Sequence, residues 1–188
     1  MNDTNGVRNR VNASTSLGLI VDVQERLFPV MHEPDILKRK LVTLIEGFKL
    51  LDVPFYVSEQ YPRGLGTTVD DVATASAGIV PLEKMEFSCM ANAAIRSKLL
   101  EDDERTIIVA GIEAHVCVQQ TVLDVMREGL RVYVCADAVS SRNPVDARCA
   151  LEHMRQYGAA VGTVESLLFE LCHVSGTDTF RSLSKLVK

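Results

Sequence analysis

The sequence contains no tryptophan and few aromatic residues, which argues against several classes of function. Aromatic side chains make up only 5% of the 188 residues, so a base-stacking platform for nucleic acid is not expected. Acidic residues outnumber basic ones, 25 to 20, for a formal net charge of −5, whereas polyanion binding needs a basic surface. No stretch reaches the ~18 consecutive apolar residues of a membrane span. We therefore expect a globular protein that binds neither nucleic acid nor membrane.

The five cysteines form no Cys-x-x-Cys pair and no Cys/His metal spacing, which favours a reducing compartment. The first sixteen residues are polar and lack the apolar core of a secretory signal. We expect a cytoplasmic location, although Arg8 and Arg10 leave an organellar presequence open as an alternative. Residues 1–16 are predicted to be a flexible tail. Residues 17–188 have a length that suits a single domain.

Short apolar runs alternate with segments of helical periodicity along the chain. The predicted strands are Leu17–Val21, Phe55–Val57, Ile79–Leu82, Thr106–Ala110, Leu130–Ala136 and Ala159–Val161. The predicted helices are Pro34–Leu51, Ala91–Leu100, His115–Glu128, Pro144–Tyr157 and Val164–Leu171. Strands that alternate with helices indicate a parallel sheet with right-handed crossovers. We therefore predict an α/β fold: a three-layer α/β/α sandwich with a mainly parallel six-stranded sheet.

Three chemically complementary residues follow predicted strands. Asp22 follows the first strand, Lys84 the third and Cys117 the fourth, and the carboxyl ends of parallel strands share one edge of a sheet. Asp22 is a candidate general base, and Lys84 could lower the pKa of the thiol, as could the start of the helix that carries Cys117. Cys117 would then be the nucleophile. The plainer interpretation is a buried cysteine acting as a small hydrophobe, with Asp22 as a cap and Lys84 as solvated surface.

The segments around these residues resemble the isochorismatase-like cysteine hydrolase superfamily, in its metal-free and largely uncharacterised branch. The matching segments are Leu19–Gln24, Glu83–Ser88 and Gly111–Val118. Each segment is short, but their order and spacing are specific, and the resemblance covers residues 17 to 170. It implies the Rossmann-like hydrolase fold of that superfamily, with Asp22, Lys84 and Cys117 as the catalytic triad.

The resemblance also implies an oxyanion hole made by the backbone. In this superfamily the peptide bond that corresponds to Ile112–Glu113 is cis. That bond would turn the Glu113 N–H, together with the Cys117 N–H, toward a developing oxyanion. A plainer role for Glu113 is a carboxylate that stabilises the start of a helix.

One departure from the superfamily concerns its metal site. Nicotinamidases carry an Asp-x-His motif after the second strand, where this chain has Glu59-Gln60-Tyr61-Pro62, and no histidine lies between His32 and His115. Because imidazole is the usual ligand of zinc-like sites, we expect no metal and no other cofactor. A retained Cys117 favours acyl transfer from an amide, ureide or related C–N bond of a small molecule through a thioester.

Substrate contacts and alternative functions are less closely defined by the sequence. The predicted substrate-binding residues, which flank the triad edge, are Gln24, Phe28, Tyr61, Phe87 and Ile112. One alternative is a catalytically silent binding or scaffold protein on the same fold. Another is a redox-responsive protein in which Cys89 is the resolving partner of Cys117.

Apolar surface suggests an assembly. The predicted helix His115–Glu128 is apolar over a broad face, and Phe180–Val187 carries further apolar residues. Broad apolar faces often mark subunit contacts, as the resembling family's oligomers would lead one to expect. We predict a homo-oligomer of closed symmetry, a dimer or tetramer, with packing inside one subunit as the alternative.

Overall fold

The computed structural model describes residues 10–102 and 105–188. Its strands are β1 (Ser16–Val21), β2 (Phe55–Gln60), β3 (Leu82–Lys84), β4 (Thr106–Ile112), β5 (Arg131–Ser140) and β6 (Ala160–Gly162). They form one sheet in the order β3-β2-β1-β4-β5-β6, and every neighbouring pair is parallel. The predicted α/β fold with a parallel six-stranded sheet is confirmed.

Helices cover both faces of this sheet. The α-helices are α1 (Pro34–Leu50), α2 (Pro62–Leu65), α3 (Asp70–Ala75), α4 (Ala93–Leu99), α5 (Gln119–Arg127), α6 (Pro144–Gln156), α7 (Val164–Cys172) and α8 (Asp178–Leu186). Helices α1, α3, α7 and α8 pack on one face, and α4, α5 and α6 on the other. Among the described helices, none is long and apolar enough to cross a membrane.

Side-chain alternation divides the core into two hydrophobic clusters. In β4, Ile107 and Val109 belong to the cluster beneath α4, α5 and α6, whereas Ile108, Ala110 and Ile112 face α1 and α7. Successive residues of a strand point to opposite faces of a sheet, and a strand buried on both faces is a continuous apolar run. This explains why the central strands were readily predicted from composition.

Gly111 lets the two central strands approach closely at the edge where the triad residues lie. Its φ is +117°, and a Cβ at this position would lie 2.1 Å from the Val21 carbonyl oxygen. Only glycine tolerates both the backbone conformation and the contact. The segments that follow Val21 and Ile112 therefore leave the sheet side by side.

The third strand was predicted at the wrong residues. We expected Ile79–Leu82, but β3 is Leu82–Lys84, and Val80 is exposed. Pro81 has no N–H to give to a ladder. The true strand pairs with β2, with Lys84 opposite Gln60, so Lys84 is the last residue of the strand and does not follow it.

The predicted tail is also shorter than expected within the described residues. Residues 1–9 of that prediction lie outside the part of the chain that the structure describes. Val11 is buried in the core, and its N–H donates to the Glu170 carboxylate at 2.8 Å. Asn12 caps the short helix Ala13–Thr15 that leads into β1. One apolar residue and one buried hydrogen bond thus fix the segment before β1.

Candidate active site

The structure brings Asp22, Lys84 and Cys117 to one edge of the sheet. Asp22 follows β1 in the left-handed conformation, with a φ of 51°, and Cys117 lies in the π-helical turn Ala114–Val118 that follows β4. The Lys84 Nζ donates to Asp22 Oδ2 at 2.5 Å, and both side chains are 0% exposed. Two opposite charges are therefore paired out of contact with water.

Both ends of this ion pair are fully hydrogen-bonded. The second carboxylate oxygen of Asp22, Oδ1, accepts from the Ser58 hydroxyl at 2.7 Å. The Lys84 ammonium also donates to the backbone oxygens of Glu86 and Phe87, each at 3.1 Å. An ammonium has three hydrogens, so each has an acceptor. A buried pair is tolerated in this way, because its remaining donors and acceptors are satisfied.

A second cysteine lies in the same cluster. Cys89 Sγ is 3.6 Å from the Ser58 hydroxyl oxygen, and the Cys89 N–H donates to the Thr121 hydroxyl at 2.9 Å. Thr121 lies in α5, one helical turn after Cys117. The turn after β3 is thereby tied to the helix that carries Cys117.

Gln60 contacts the Cys117 thiol directly. Its Oε1 lies 3.6 Å from Cys117 Sγ, and its Nε2 donates to the Met85 carbonyl oxygen at 3.3 Å. The Gln24 amide holds the Gln60 backbone at two points, since Oε1 accepts its N–H at 2.8 Å and Nε2 donates to its carbonyl at 2.9 Å. Gln24 therefore fixes the end of β2 beside the cysteine.

The thiol of Cys117 has a raised pKa, not the lowered one expected from its neighbours. Burial is the main cause, and the Asp22 carboxylate raises the pKa further through charge and a hydrogen bond. The Lys84 ammonium lowers it, but by less. Desolvation disfavours the ammonium of Lys84 as well, yet Asp22 and the two nearby cysteines raise the Lys84 pKa above its usual 10.5. The resting site therefore holds a neutral thiol beside a charged pair.

The Ile112–Glu113 peptide bond is cis. The Glu113 carbonyl accepts from the N–H groups of Val116 and Val118 at 3.0 and 3.2 Å. Its carboxylate accepts from the Arg142 backbone N–H at 3.1 Å and side-chain Nε at 3.2 Å. Glu113 thus anchors both the turn that carries Cys117 and the segment after β5.

Two of the predicted substrate contacts are joined to Lys84 through their backbones and have partly exposed side chains. Tyr61 and Phe87 are 47% and 53% exposed. The Tyr61 N–H donates to the Lys84 carbonyl at 2.8 Å, and the Phe87 carbonyl receives the Lys84 ammonium. Their rings are available to a small molecule near the triad.

The other three predicted contacts are placed elsewhere. Gln24 is fully buried, and its amide is used by Gln60 and by the Gly66 carbonyl. Phe28 and Ile112 are buried in the cluster beneath α1, whereas Cys117 belongs to the cluster on the opposite face. Direct contact of these three side chains with a substrate stays a prediction, although closeness in sequence to Asp22, Lys84 and Cys117 did not specify the face on which they lie.

Sequence reasoning gave no role to Ser58 or Gln60. They are two residues apart on β2 and so share a face, and that face meets Asp22 and Cys117. Polar residues at the end of an otherwise apolar strand were the available signal. Their partners depend on the β1–β2 register, which pairs Val21 with Ser58 and which the sequence alone did not specify.

The residues at the position of the nicotinamidase metal motif are otherwise engaged. The Glu59 carboxylate is buried and accepts from both the N–H and the hydroxyl of Thr68, each at 2.7 Å. Within residues 10–102 and 105–188, no group of three or more His, Cys, Asp or Glu side chains could hold a metal ion. The side chains at this position therefore do not fit the metal centre of the nicotinamidases.

An open groove of about 710 Å³ lies at another part of the molecule, between α1 and α6. Its lining includes Ile36, Val139 and Leu151 and contains none of the triad residues. The groove and the cluster of reactive side chains thus lie in different parts of the molecule. The candidate site is the cluster of Asp22, Lys84 and Cys117, because burying an ion pair against a thiol is costly and forming a surface groove is not.

Comparisons with known proteins indicate the family and the fold of this chain. A family model described as the isochorismatase domain matches residues 16–166. Isochorismatase domain-containing protein 2A of Mus musculus is 35% identical over 181 residues, covering 95% of this chain and 85% of the mouse protein. The MAR1 ribonuclease structure from Caenorhabditis elegans has a TM-score of 0.88 at 33% identity, covering 95% of this chain and 92% of that one. The YcaC gene product of Escherichia coli, an octameric hydrolase of unknown specificity, shares the fold, with a TM-score of 0.87 at 22% identity and coverage of 94% and 90%.

Proposed function

This chain belongs to the isochorismatase-like hydrolase family, and we propose that it is a cysteine hydrolase that cleaves a C–N bond of a small molecule. An amide or ureide is the substrate class that we favour. The observation that carries the proposal is the buried Lys84–Asp22 pair, 2.5 Å between Nζ and Oδ2, placed beside the Cys117 thiol. Such a pair is expensive to bury for structure alone.

Acylation uses Asp22 as a proton shuttle. Asp22 takes the thiol proton as the sulfur of Cys117 forms a bond to the carbonyl carbon, and the carbonyl π electrons move to its oxygen. The backbone N–H groups of Glu113 and Cys117 would stabilise this oxyanion. As the carbonyl re-forms, the C–N bond breaks, and the departing nitrogen takes the proton from Asp22. A thioester at Cys117 remains.

Deacylation repeats these steps with water. Asp22 takes a proton from water as its oxygen attacks the thioester carbon, and the C–S bond then breaks. The sulfur leaves with the bonding electrons and takes back the proton, which regenerates the thiol. Lys84 stays protonated throughout, since its raised pKa keeps it charged, and it balances the negative charge that passes from Asp22 to the oxyanion and back.

The raised pKa of Cys117 supports a base-assisted mechanism. A thiol that is neutral at rest cannot attack as a pre-formed thiolate and needs its proton removed during the attack. The Asp22 carboxylate lies close enough to that thiol to raise its pKa. The same carboxylate that raises the thiol pKa is therefore positioned to receive the proton.

A panel of small carboxamides, ureides and esters tests the proposal. We expect release of ammonia or amine from at least one panel member, and hydroxylamine added to the reaction should capture the acyl group as a hydroxamate. Mass spectrometry should place the acyl adduct on Cys117. Turnover that persists in Cys117→Ala would contradict the mechanism. A folded wild type that acylates with no panel member would favour the silent binding protein instead.

A redox function is the rival that a specific observation favours. Cys89 and Cys117 both interact electrostatically with Asp22 and Lys84, and with each other. Reversible loss of two free thiols under mild peroxide, mapped to Cys89 and Cys117 and unaccompanied by any hydrolysis, would establish the sensor function. Cys89→Ser distinguishes the two, because a hydrolase retains turnover in that variant.

The ribonuclease named in Caenorhabditis elegans suggests RNA as a further substrate. The formal net charge of −5 disfavours a phosphate backbone as ligand, and the triad side chains are almost fully buried. Incubation with single-stranded and hairpin RNA tests this possibility. If the wild type cleaves RNA and Cys117→Ala does not, RNA is the substrate and the proposed C–N substrate is wrong.

We also propose a homo-oligomer. The evidence is a set of exposed apolar side chains near the site, and not the apolar helix faces from which the sequence predicted an assembly. Val118, Val122 and Val125 of the helix after β4 are buried within one subunit, so that face does not require a partner. Exposed apolar side chains instead surround the site: Tyr61, Met85 and Phe87. A dimer or tetramer that covers them agrees with the octamer of the Escherichia coli neighbour. A single sedimenting species near 20.7 kDa would contradict it.

A further inference from the structure

Gln60 presents an oriented hydrogen-bond acceptor to the sulfur of Cys117. Its Nε2 donates to the Met85 carbonyl at 3.3 Å, and only the nitrogen of an amide can donate. The other terminal atom, Oε1, is therefore the one that faces Cys117 Sγ, at 3.6 Å. The Gln24 amide clamps the Gln60 backbone at 2.8 and 2.9 Å, so the acceptor is held on a fixed strand end.

The thiol of Cys117 has one hydrogen and two acceptors. That hydrogen can be directed to Gln60 Oε1 or to the Asp22 carboxylate. Acylation requires it to go to Asp22, which leaves Gln60 Oε1 without its donor next to the reacting atom. A buried acceptor that loses its partner is penalised, so the reaction is favoured when the substrate supplies a replacement.

The polar hydrogens of Ser58 and Lys84 are already committed to other acceptors. The Ser58 hydroxyl donates its hydrogen to Asp22, and the three hydrogens of Lys84 go to Asp22, Glu86 and Phe87. The donor has to come from the bound molecule. The nitrogen of an amide or ureide lies within one bond of the carbon that the sulfur attacks, and can therefore approach an oxygen 3.6 Å from that sulfur.

We propose that Gln60 is a specificity-determining residue that accepts a hydrogen bond from a substrate N–H beside the reacting carbon. This inference rests on the proposed function and narrows it to substrates with an N–H, namely primary or secondary carboxamides and ureides. Esters and tertiary amides lack that donor and are disfavoured. Sites built to hydrogen-bond a substrate group reject analogues without it much more strongly than apolar pockets reject a shape change.

The test is alkylation of Cys117 by chloroacetamide and by methyl chloroacetate, which differ in the N–H group. The chloroacetamide nitrogen lies two bonds from the attacked CH2 carbon, one bond further than in an amide substrate, and it can still approach an acceptor 3.6 Å from the sulfur. In both reactions the sulfur forms a bond to the CH2 carbon, chloride leaves with the bonding electrons, and Asp22 takes the thiol proton. Each rate is divided by that of the same reagent with N-acetylcysteine. We expect the normalised amide-to-ester ratio for Cys117 to exceed the free-thiol ratio at least about tenfold.

Two variants separate the acceptor from simple packing. Gln60→Met has a similar length and no acceptor, and its ratio should fall to that of the free thiol. Gln60→Glu keeps an oxygen and should retain the amide preference even if both rates fall. Gln156→Met, at an exposed glutamine, is the matched control and should behave as the wild type.

Four results would overturn the inference. A wild-type ratio equal to that of the free thiol, or an unchanged ratio in Gln60→Met, shows that Gln60 does not select for N–H. A preference lost equally in Gln60→Glu shows that packing at this position is responsible. If neither reagent modifies Cys117 in folded wild-type protein, the proposed function fails first, and this inference fails with it.

Discussion

Cys117, in the turn after β4, and Cys135, within β5, are both buried cysteines, and their difference shows what distinguishes a candidate nucleophile here. Burial is the main cause that raises the pKa of both thiols, and a carboxylate raises each further, Asp22 for Cys117 and Asp137 for Cys135. A lowered pKa therefore marks neither residue. What Cys117 has in addition is the cation of Lys84, which lowers its pKa, and a hydrogen bond to the Gln60 side-chain oxygen.

Position in the fold accounts for this contrast. Cys135 lies within β5 and packs into the apolar cluster beneath α1 and α7. Cys117 lies in a turn beyond the end of β4, at the edge where β1 and β3 also end. Loop and turn backbone after a parallel strand can bring polar groups together, whereas the middle of a strand offers mostly apolar neighbours.

Replacing the two cysteines should give the largest difference between these regions. In Cys117→Ala we expect turnover of the panel's best amide to fall by about four orders of magnitude or more, since the covalent intermediate cannot form. Cys135→Ala should retain turnover within a few fold, because Cys135 only fills core volume. Steady-state assays of both folded variants check this. Comparable losses in both would remove the distinction.

Breaking the ion pair should be the next largest effect, and it concerns stability. Lys84→Met leaves the Asp22 charge buried and unpaired, so we expect a loss of about 3–5 kcal/mol in the free energy of unfolding. The double variant Lys84→Met/Asp22→Asn should recover most of it, because both charges are gone. Urea unfolding with global fits measures all three proteins.

The matched control is the exposed pair of Lys49 and Glu46, 2.9 Å apart. Lys49→Met should change stability by less than about 1 kcal/mol. If Lys84→Met changes the free energy of unfolding as little as Lys49→Met does, leaving the Asp22 charge unpaired is not costly, and our account of the buried pair is wrong.

A smaller effect should appear in the titration of Cys117 itself. The Asp22 carboxylate raises the pKa of this thiol, so Asp22→Asn should lower it, and the ultraviolet absorbance of the thiolate should develop at lower pH than in the wild type. Turnover should nevertheless be lost, because no base remains to carry the proton to the leaving nitrogen. If the Cys117 thiol titrates at higher pH in Asp22→Asn than in the wild type, the Asp22 carboxylate does not raise the pKa of this thiol.

Much of the fold could be predicted from the sequence, because continuous apolar runs and helical periodicity depend on local composition. Strand β3 could not, since it is a short edge strand whose position is decided by pairing with β2 and by Pro81. The segment before β1 was misjudged for a similar reason. Val11 lies in a mainly polar stretch, and it joins the core while its N–H bonds to Glu170, far along the chain.

The candidate site divides in the same way. Asp22, Lys84 and Cys117 were proposed as site residues because each is a reactive residue type at the end of a strand, and their catalytic roles stay a prediction. Gln60 and Ser58 were not, because their roles depend on strand register. The sign of the Cys117 pKa shift was wrong, since neighbouring charges are visible in a sequence but the depth of burial is not. Ile112 packs on the face opposite Cys117, together with Ile108, and the alternation of side chains along β4 could have revealed this.

Cysteine-resolved alkylation of the wild-type protein at neutral pH tests the central claim most directly. Peptide mapping after timed exposure to iodoacetamide gives a separate rate for each cysteine, with exposed Cys149 as the internal standard for an unassisted thiol. If Asp22 removes the proton during attack, Cys117 should be modified at least about a hundredfold faster than Cys135, although burial raises the pKa of both. Equal, negligible rates at Cys117 and Cys135 beside a normally reactive Cys149 would contradict the account.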